Sequence, residues 1–598
     1  MFQSKPKDFQ ITEADVVSLK LFSFLVSNIL KRIFKINFSI VFFSVWMIGC
    51  VKPIFNPEIT YSHAWWETEI LKCILSGACA DRTPPTLNVV NLSSSHNSIL
   101  ESGFIVGVAN DDLFLSRVEV SLDSGPFLPA LGTFTWRYAV PSSWKSGSLH
   151  SVQVRSVDFA GNSSEILNFG FRKGSNKDVN GDGIPDIAIV ASLFSTTRNG
   201  DVYLYYGLGK GGFNPTSATM ANVIITGDAA ASFGYALQLG DVNGDGFADL
   251  VAGGSFEYGG ANGKVYVFYS NGASGILASS FANANLTLNA GASTTLGYSL
   301  SLGDVNGDGI TDIAASGYVG AGIAQIYHGG SNGVSPTPNT SIVGPGTNFG
   351  SAVRLGDLNG DGFSDLIVNG NTFSSSSGRL WIFHSSSSGI SATNTAAPTL
   401  TLTGASASDA FGLSMETGDV NGDGFEDLIA ASVGYSGSMG RVYTFHGSSS
   451  GLTAVSVSGA NQTLTGVSAS ETFGNSLALG DINGDGFLDL AVSSTNFSAA
   501  LGKVSFFHST GTTISGTPSA TIQGEAAGDG FGGGAFADFN GDGFSDFIAG
   551  AGGNTGSSGR SYLFYSPGAS GLVVSLAVSA NLAISGPTNS LFGQAFSH

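Results

Sequence analysis

From about residue 174 to the C-terminus, short apolar stretches alternate with turn residues at regular intervals. One unit reads "FGYALQLGD", then a polar loop, then "DLVAGG" and later "KVYVF". Short runs of apolar, β-branched and aromatic residues bounded by Gly, Asn and Asp are typical of β-strands. A more variable segment completes each unit, so the pattern predicts about four strands per unit.

The polar loop between the first two strands of the unit recurs seven times. Its first residue is an aspartate, and successive copies are separated by 63, 63, 53, 62, 62 and 57 residues. Self-similarity at one period indicates an array of equivalent units, and four strands per unit is typical of a β-propeller blade. We therefore predict an all-β chain in which residues 174–598 form a seven-bladed β-propeller.

The region before the repeats has another pattern. Residues 83–173 contain alternating segments such as "SRVEVSLD", "FTWRYAV" and "HSVQVRSVD", which predict a small antiparallel sandwich. "TPPTLNVV" and "DFAGNSSE" resemble bacterial Ig-like extracellular modules, which act as spacers. Because "NFGFRKGSNK" is assigned to the last strand of this sandwich, the first repeat lacks an inner strand. We expect the C-terminal "SLFGQAFSH", from Ser590, to supply it and close the ring.

The N-terminus is interpreted as an export segment over residues 1–49. Basic residues precede the apolar run "INFSIVFFSVWMIGC", which has the length of a signal-peptide core and is short for a membrane span. The run ends at Cys50, and "MIGC" resembles a bacterial lipobox, which implies a lipidated Cys50 as the mature N-terminus. The alternative is that the apolar segment itself is the anchor.

Residues 50–82 are predicted to form a tether. Once Cys50 carries lipid, Cys73 and Cys79 remain as an even pair whose spacing suits a small disulfide loop in an oxidising compartment. A bacterial cell-envelope location, lipid-anchored and surface-exposed, follows from this interpretation.

The repeated loop has the composition of a calcium site. In the second copy, side-chain oxygens come from Asp241, Asn243, Asp245 and Asp249, and the backbone carbonyl of Phe247 is a fifth donor. Hard oxygen donors in a flexible loop suit Ca²⁺ better than Mg²⁺. The aspartates at positions 1, 5 and 9 of the seven loops are 21 of the 44 acidic residues, and clustered carboxylates repel unless a cation lies between them. We expect about seven structural Ca²⁺ ions. The equivalent donors of the other loops are Asp178, Asn180, Asp182, Ile184 and Asp186; Asp304, Asn306, Asp308, Ile310 and Asp312; Asp357, Asn359, Asp361, Phe363 and Asp365; Asp419, Asn421, Asp423, Phe425 and Asp427; Asp481, Asn483, Asp485, Phe487 and Asp489; and Asp538, Asn540, Asp542, Phe544 and Asp546.

Three other kinds of loop have a similar sequence. An EF-hand requires a bidentate Glu at position 12, where this chain has Ala252, and a helix after the loop. Dockerin loops come in closely spaced helical pairs. "NGDG" also suits a plain hairpin turn, but a turn does not require Asp at position 9 in every copy.

The order of motifs resembles a known family. The succession FG, GD, DxNGDGxxD, DL and GxVYxF resembles the FG-GAP repeats of the integrin α-chain propeller and of related bacterial proteins, over residues 174–598. Leu296 replaces the Phe of one FG pair, the last repeat is one residue short after Phe531, and "GAP" itself is absent. The resemblance implies calcium loops on one face and partners on the opposite face, where the loops between second and third strands emerge.

Aromatic residues recur in those second-to-third-strand loops. We interpret them as a candidate ligand rim, because aromatic side chains dominate binding hot spots; the alternative is that they wedge between neighbouring blades. The candidates are Phe194, Phe256, Tyr258, Tyr318, Phe373, Tyr435 and Phe497.

Composition limits the function. A formal charge of −20 without a basic cluster argues against nucleic-acid binding. No Gly-x-Ser-x-Gly elbow lies between a strand and a helix. Four of the eight histidines recur at one blade position (His328, His384, His446 and His508), and the other four are scattered. We expect no enzyme but a surface-anchored, calcium-binding propeller that mediates adhesion or binds an extracellular protein or glycan. The alternatives are a propeller enzyme acting on polysaccharide or lipid and a structural envelope protein.

Overall fold

The computed structural model describes 14 stretches of the chain. These are residues 82–92, 98–100, 102–112, 115–141, 144, 149–174, 176–191, 200–208, 212–227, 232–254, 263–291, 294–554, 558–588 and 590–597. The predicted signal segment, Cys50 and the Cys73–Cys79 pair lie outside them. The all-β prediction is confirmed, because the described residues form 37 strands and only brief helical turns.

The helical turns are short. Five are 3₁₀ turns, at Ala218–Met220, Gly272–Ser274, Phe281–Asn283, Val457–Gly459 and Ala577–Ser579. Across the described ranges, no helix is long and apolar enough to cross a membrane.

The first nine strands form two sheets that share one core. The sheet orders are β1-β3-β7-β6 and β2-β9-β8-β4-β5. Inward-facing residues such as Ile105, Val118, Trp136 and Phe171 are buried together. The strands of this sandwich are β1 (Thr86–Val89), β2 (Ser98–Leu100), β3 (Phe104–Asn110), β4 (Leu115–Leu122), β5 (Leu128–Pro129), β6 (Leu131–Gly132), β7 (Thr135–Ala139), β8 (Leu149–Asp158) and β9 (Leu167–Lys173).

The other strands form seven four-stranded antiparallel sheets, here called sheets 1 to 7. In sheets 2 to 7 the four strands follow one another in sequence. Their bounds, sheet by sheet, are β10 (Ile187–Ala191), β11 (Asp201–Tyr205) and β12 (Val223–Thr226); β13 (Phe233–Gly240), β14 (Asp249–Gly254), β15 (Lys264–Phe268) and β16 (Leu286–Asn289); β17 (Ser299–Gly303), β18 (Asp312–Gly317), β19 (Ile323–Tyr327) and β20 (Thr340–Val343); β21 (Phe349–Gly356), β22 (Asp365–Gly370), β23 (Arg379–Phe383) and β24 (Leu400–Thr403); β25 (Phe411–Gly418), β26 (Asp427–Ser432), β27 (Arg441–Phe445) and β28 (Gln462–Thr465); β29 (Leu477–Gly480), β30 (Asp489–Ser494), β31 (Lys503–Phe507) and β32 (Ala520–Gln523); and β33 (Gly532–Ala537), β34 (Asp546–Ala551), β35 (Arg560–Phe564) and β36 (Leu582–Ser585).

Sheet 1 is completed by the C-terminal strand, β37 (Phe592–Phe596). It pairs antiparallel with β10, with Ile189 opposite Phe596 and Ala191 opposite Phe592. The expected closure by the C-terminal strand is therefore confirmed, as is the assignment of "NFGFRK" to the last sandwich strand, β9.

Seven hydrophobic clusters join the sheets into a closed ring. Each cluster contains buried residues from two consecutive sheets. The last one joins Ile548 and Leu563 of sheet 7 to Ile189 and Tyr203 of sheet 1. The ring has no free first or last sheet, so burial of apolar surface is continuous around it.

The inner strands differ slightly from their expected extent. Around the FG pair the ladder is out of register, for example between Phe233 and Leu237. In sheets 3 and 6 the strand begins only after this irregularity, at Ser299 and Leu477 rather than at Leu296 and Phe473. The backbone turns there, as shown by the hydrogen bond from the Tyr298 amide to the Thr295 carbonyl.

Candidate functional site

All seven polar loops have the same internal hydrogen bonds. In the second loop, Asp241 Oδ2 accepts from the Gly246 amide at 2.7 Å, Asn243 Oδ1 from the Asp245 amide at 2.9 Å, and Asp245 Oδ1 from the Phe247 amide at 2.9 Å. Gly246 has a φ of +91°, a conformation that favours glycine. The Asn-Gly-Asp-Gly sequence is thus required by the backbone of the loop.

The aspartate at position 9 connects its loop to a distant part of the sheet. Asp249 is fully buried, and its Oδ1 accepts from the Ser270 amide at 2.8 Å, just beyond β15. The same bond is present in every loop. Position 9 therefore has a structural partner in each copy, in addition to any role toward an ion.

Neighbouring loops interlock through positions 4 and 7, which sequence reasoning missed. A Cβ at Gly181 would lie 2.3 Å from the Phe247 ring, and one at Gly307 would lie 2.4 Å from the Phe363 ring. The restriction of position 7 to Phe or Ile in all seven copies was the available signal. Small residues at position 4 thus make room for the next loop.

The donor chemistry of the loops fits a hard cation. Burial and the nearby charges of Asp241 and Asp245 raise the pKa of Asp249 to about 8, although its hydrogen bond from Ser270 opposes the shift. The Oδ2 atoms of Asp365 and Asp546 are buried without a hydrogen-bond partner. A cation near these oxygens would offset the repulsion between the carboxylates and would give the buried Oδ2 atoms a partner.

The loop side chains do not converge on one point, however. Within the described ranges, no three Asp, Glu, His or Cys side chains lie close enough to hold a metal ion. In this arrangement the carboxylates accept hydrogen bonds from the amides of their own loops. Calcium ligation by positions 1, 3, 5, 7 and 9 remains a prediction.

The sandwich lies on the loop end of the sheets. Ser102 Oγ donates to Asp178 Oδ2 in the first loop at 2.9 Å, and Arg172 Nε donates to the Gly486 carbonyl in the sixth at 2.7 Å. The Phe104 ring lies 5.4 Å from that of Phe247. These contacts bury part of the loop surface, which sequence reasoning about a spacer did not anticipate.

A cavity of about 1140 Å³ lies between the sandwich and the inner strands. Its walls include Trp144 from the sandwich and Arg354 paired with Glu416 at 2.9 Å. Lys177, on the connection from the sandwich, donates through Nζ to the Phe536 carbonyl at 3.2 Å. The sandwich thus covers the central opening at the loop end.

The recurrent histidines lie between sheets. A Cβ at Gly451 would lie 2.6 Å from the His384 ring, and one at Gly571 would lie 2.7 Å from His508 Nε2. Tyr269 occupies the equivalent position of sheet 2, where its hydroxyl accepts from the Val334 amide. The periodic histidines therefore have packing roles, as their spacing indicated.

The candidate rim residues lie at the other end of the sheets, because each follows a second strand that starts at a polar loop. Phe194, Phe256 and Tyr258 lie outside the described residues. Tyr318, Phe373, Tyr435 and Phe497 are half-buried. Tyr318 stacks edge-on against Tyr298 at 4.6 Å.

In sheets 4, 5 and 6 the aromatic residue begins a left-handed turn. The three residues after Phe373 have φ of +48°, +59° and +64°, and those after Tyr435 and Phe497 are similar. Carbonyls of the first turn accept hydrogen bonds from the amides of Ser408 and Ala410, which precede sheet 5. Such conformations cost about 1–2 kcal/mol for each non-glycine residue and are maintained by these bonds.

A cation covers each of these three aromatic rings, which sequence reasoning missed although the two residues are always six positions apart. Arg379 Cζ lies 3.7 Å from the centre of the Phe373 ring, and Arg441 Cζ lies 3.8 Å from that of Tyr435. Lys503 Nζ lies 4.3 Å from the centre of the third ring, that of Phe497. Lys503 also forms an ion pair with Glu471, at 2.6 Å.

Comparison with known families agrees with this geometry. Residues 178–252, 241–315 and 304–368 match the FG-GAP-like repeat. Residues 411–445, 473–507 and 532–564 match the FG-GAP repeat. These matches support an FG-GAP β-propeller.

Integrin α chains are similar to part of this chain. Integrin alpha-7 of Rattus norvegicus is 35% identical over 166 residues, which are 25% of this chain and 14% of that protein. Integrin alpha-V of Gallus gallus is 32% identical over 209 residues, 33% of this chain and 20% of that protein. The chain thus spans a fifth or less of the length of these two relatives. The solved Dos1 propeller aligns over 68% of this chain and 90% of its own, at 13% identity and a TM-score of 0.36.

Proposed function

We propose that this chain is a surface-anchored, calcium-binding adhesion or ligand-binding protein and not an enzyme. Sheets 1 to 7 are the blades of one propeller, the sandwich is an Ig-like spacer, and Cys50 carries a lipid that holds the chain in a bacterial envelope. About seven Ca²⁺ ions occupy the polar loops. The partner is an extracellular protein or glycan.

The observation that carries this proposal is the unequal covering of the two ends of the sheets. At the loop end, Ser102, Phe104 and Arg172 of the sandwich rest on the first, second and sixth loops. The opposite end has the half-buried aromatic residues of the second-to-third-strand loops. We therefore expect a partner to bind the anchored chain at its aromatic end.

Similarity to the integrin α chains supports a binding role. This chain has FG-GAP repeats and is similar in sequence to the integrin α chains. A binding role requires a rigid scaffold and a complementary surface, whereas catalysis also requires reactive groups. A closed ring of sheets supplies that rigidity.

The test of this proposal uses the full-length chain in detergent. Binding to extracellular proteins and glycans is measured with and without Ca²⁺, for the parent and for a variant with Tyr318→Ser, Tyr435→Ser and Phe497→Ser. We expect binding to be lost while the melting temperature changes little. The control carries Leu277→Ser and Val573→Ser, which are 71% and 73% exposed in third-to-fourth-strand connections near the polar loops. Equal binding by parent and rim variant would show that the partner docks elsewhere.

A second experiment addresses the anchor. If Cys50 is lipidated, Cys50→Ser moves the protein from the detergent phase to the aqueous phase. Unchanged partitioning would assign anchoring to the apolar segment before Cys50.

A further inference from the structure

Two arginines at the aromatic end of adjacent sheets are held in the same unusual way. Arg379 Cζ lies 3.7 Å from the centre of the Phe373 ring, and Arg379 Nε donates to Thr403 Oγ1 at 3.3 Å. In sheet 5, Arg441 lies over Tyr435, and its Nε donates to Thr465 Oγ1 at 2.9 Å. Each guanidinium is thus fixed by a ring on one face and by a threonine at one edge.

In the ranges that the structure describes, the rest of each guanidinium lacks a close acidic partner. Among the described residues, no carboxylate oxygen lies within 4 Å of Arg379 or Arg441. Arg441 also interacts with the charge of Asp409 beyond 4 Å and with the hydroxyl of Tyr443. The positive charge of neither arginine is therefore neutralised by a close ion pair in the described part of the chain.

The equivalent positions of the other sheets show that this arrangement is particular to sheets 4 and 5. Lys503 in sheet 6 is neutralised by Glu471, and Arg560 in sheet 7 lies 3.5 Å from Glu525. Sheets 1, 2 and 3 have Asp201, Lys264 and Ile323 at the same position, and none of these is an arginine. At this strand position, and within the described residues, Arg379 and Arg441 are the two guanidiniums that lie within 4 Å of an aromatic ring and have no carboxylate within 4 Å.

We propose that Arg379 and Arg441 together bind an anionic polysaccharide, with one acidic group of the polymer on each guanidinium. The inference rests on the proposed function, because it requires that this end of the propeller meets the partner. A planar guanidinium held in place donates two parallel hydrogen bonds to a carboxylate or sulfate with little loss of side-chain freedom. The same unit on two consecutive sheets fits a polymer that repeats one anion better than it fits a single acidic side chain of a protein.

The overall charge of the molecule makes this a demanding prediction. At a formal charge of −20, long-range electrostatics repel a polyanion. Binding must therefore depend on these two local contacts. When they are removed, no general positive field of the protein remains to hold the polymer.

The experiment measures binding of the full-length chain, in detergent and Ca²⁺, to four immobilised polymers. These are polygalacturonate, dextran sulfate, neutral dextran and poly-glutamate. The test variant is Arg379→Gln with Arg441→Gln. The control is Arg82→Gln with Arg117→Gln, which makes the same charge change on exposed sites of the sandwich region. A third variant, Arg379→Lys with Arg441→Lys, keeps the charge and loses the planar fork.

We expect the parent to bind polygalacturonate, dextran sulfate or both, and not neutral dextran; which one is bound identifies a carboxylate or a sulfate ligand. The Gln variant should bind roughly tenfold or more weakly, since charge-assisted hydrogen bonds are lost at two places, and the control should change by about twofold at most. The Lys variant should also weaken binding and should keep the melting temperature of the parent. It therefore tests the contact even if the Gln variant fails to fold.

Three outcomes would overturn the inference. They are polyanion binding that the Gln and Lys variants retain, binding to poly-glutamate alone, and no binding to any anionic polymer. In the last case, persistent Ca²⁺-dependent binding to other extracellular ligands that requires Tyr318, Tyr435 and Phe497 would leave the proposed function standing.

Discussion

Ile184, in the first polar loop, packs against Gly541 in the last: a Cβ at Gly541 would lie 2.7 Å from Ile184 Cδ1. The same contact, between position 7 of one loop and the position-4 glycine of its neighbour, recurs in five other neighbouring pairs of loops. Loops that are far apart in sequence are therefore mechanically coupled at one end of the ring.

This coupling predicts unequal costs for two glycine substitutions. Gly181→Ala introduces a Cβ against the Phe247 ring at a φ of +70°, whereas Gly424→Ala introduces one at +90° with no atom within 4 Å. Gly424→Ala should lower the free energy of unfolding by about 1–2 kcal/mol, the cost of the left-handed conformation alone. Gly181→Ala should cost more. Equal values in urea unfolding would contradict the interlocking of the loops.

Closure of the ring by β37 predicts a strong effect of its buried aromatic residues. Phe592 is fully buried against sheets 7 and 1, so Phe592→Ala should destabilise the protein by about 3–5 kcal/mol. Val578→Ala, at a side chain that is 68% exposed, is the control and should change little. Thermal unfolding measures both. A Phe592→Ala protein that melts with the parent would show that β37 does not hold the ring closed.

The buried Glu471–Lys503 pair predicts an acid-dependent loss of stability. Burial raises the pKa of Glu471, but hydrogen bonds from Lys503 and Ser468 and the charge of Lys503 outweigh it and hold the pKa below 4.5. The carboxylate therefore contributes stability that is complete above the unfolded-state pKa and is lost as pH falls through the lower folded-state pKa. Glu471→Gln should flatten this part of the stability profile measured by denaturant titration below pH 5.

The same pair predicts a large effect when only one partner is removed. Lys503→Met leaves a fully buried carboxylate without its cation and should cost about 3–5 kcal/mol. Arg117→Met, an exposed cation whose partner Glu119 keeps Arg155, is the control and should cost under about 1 kcal/mol. Similar losses for the two variants would mean that the buried pair adds no more than a surface pair.

Much of the fold could be predicted because its determinants are local and repeated. The FG-type strand, the Asn-Gly-Asp-Gly loop and the apolar strand after it recur in order, so four-stranded units follow from spacing alone. Closure by "SLFGQAFSH" could be predicted for another reason. The first unit lacked one strand, and an unpaired edge had to be covered.

Other features depend on contacts between distant residues and could not be read from the period. The docking of Phe104 on Phe247 requires the position of the sandwich, which no repeat encodes. The left-handed turn after Phe373 consists of serines that give no turn signal of their own. The Arg379–Phe373 stack could have been predicted, because an aromatic residue and a cation recur six residues apart in three units.

The most direct test of the account is the amount of calcium bound to the folded full-length chain. Equilibrium dialysis followed by metal analysis should find about seven Ca²⁺ per chain, and chelation should lower the melting temperature because the ions bind only the folded loops. The variant Asp241→Asn with Asp245→Asn should bind about one ion fewer. A folded protein that binds no Ca²⁺ and melts unchanged in chelator would contradict the assignment of the seven loops as calcium sites.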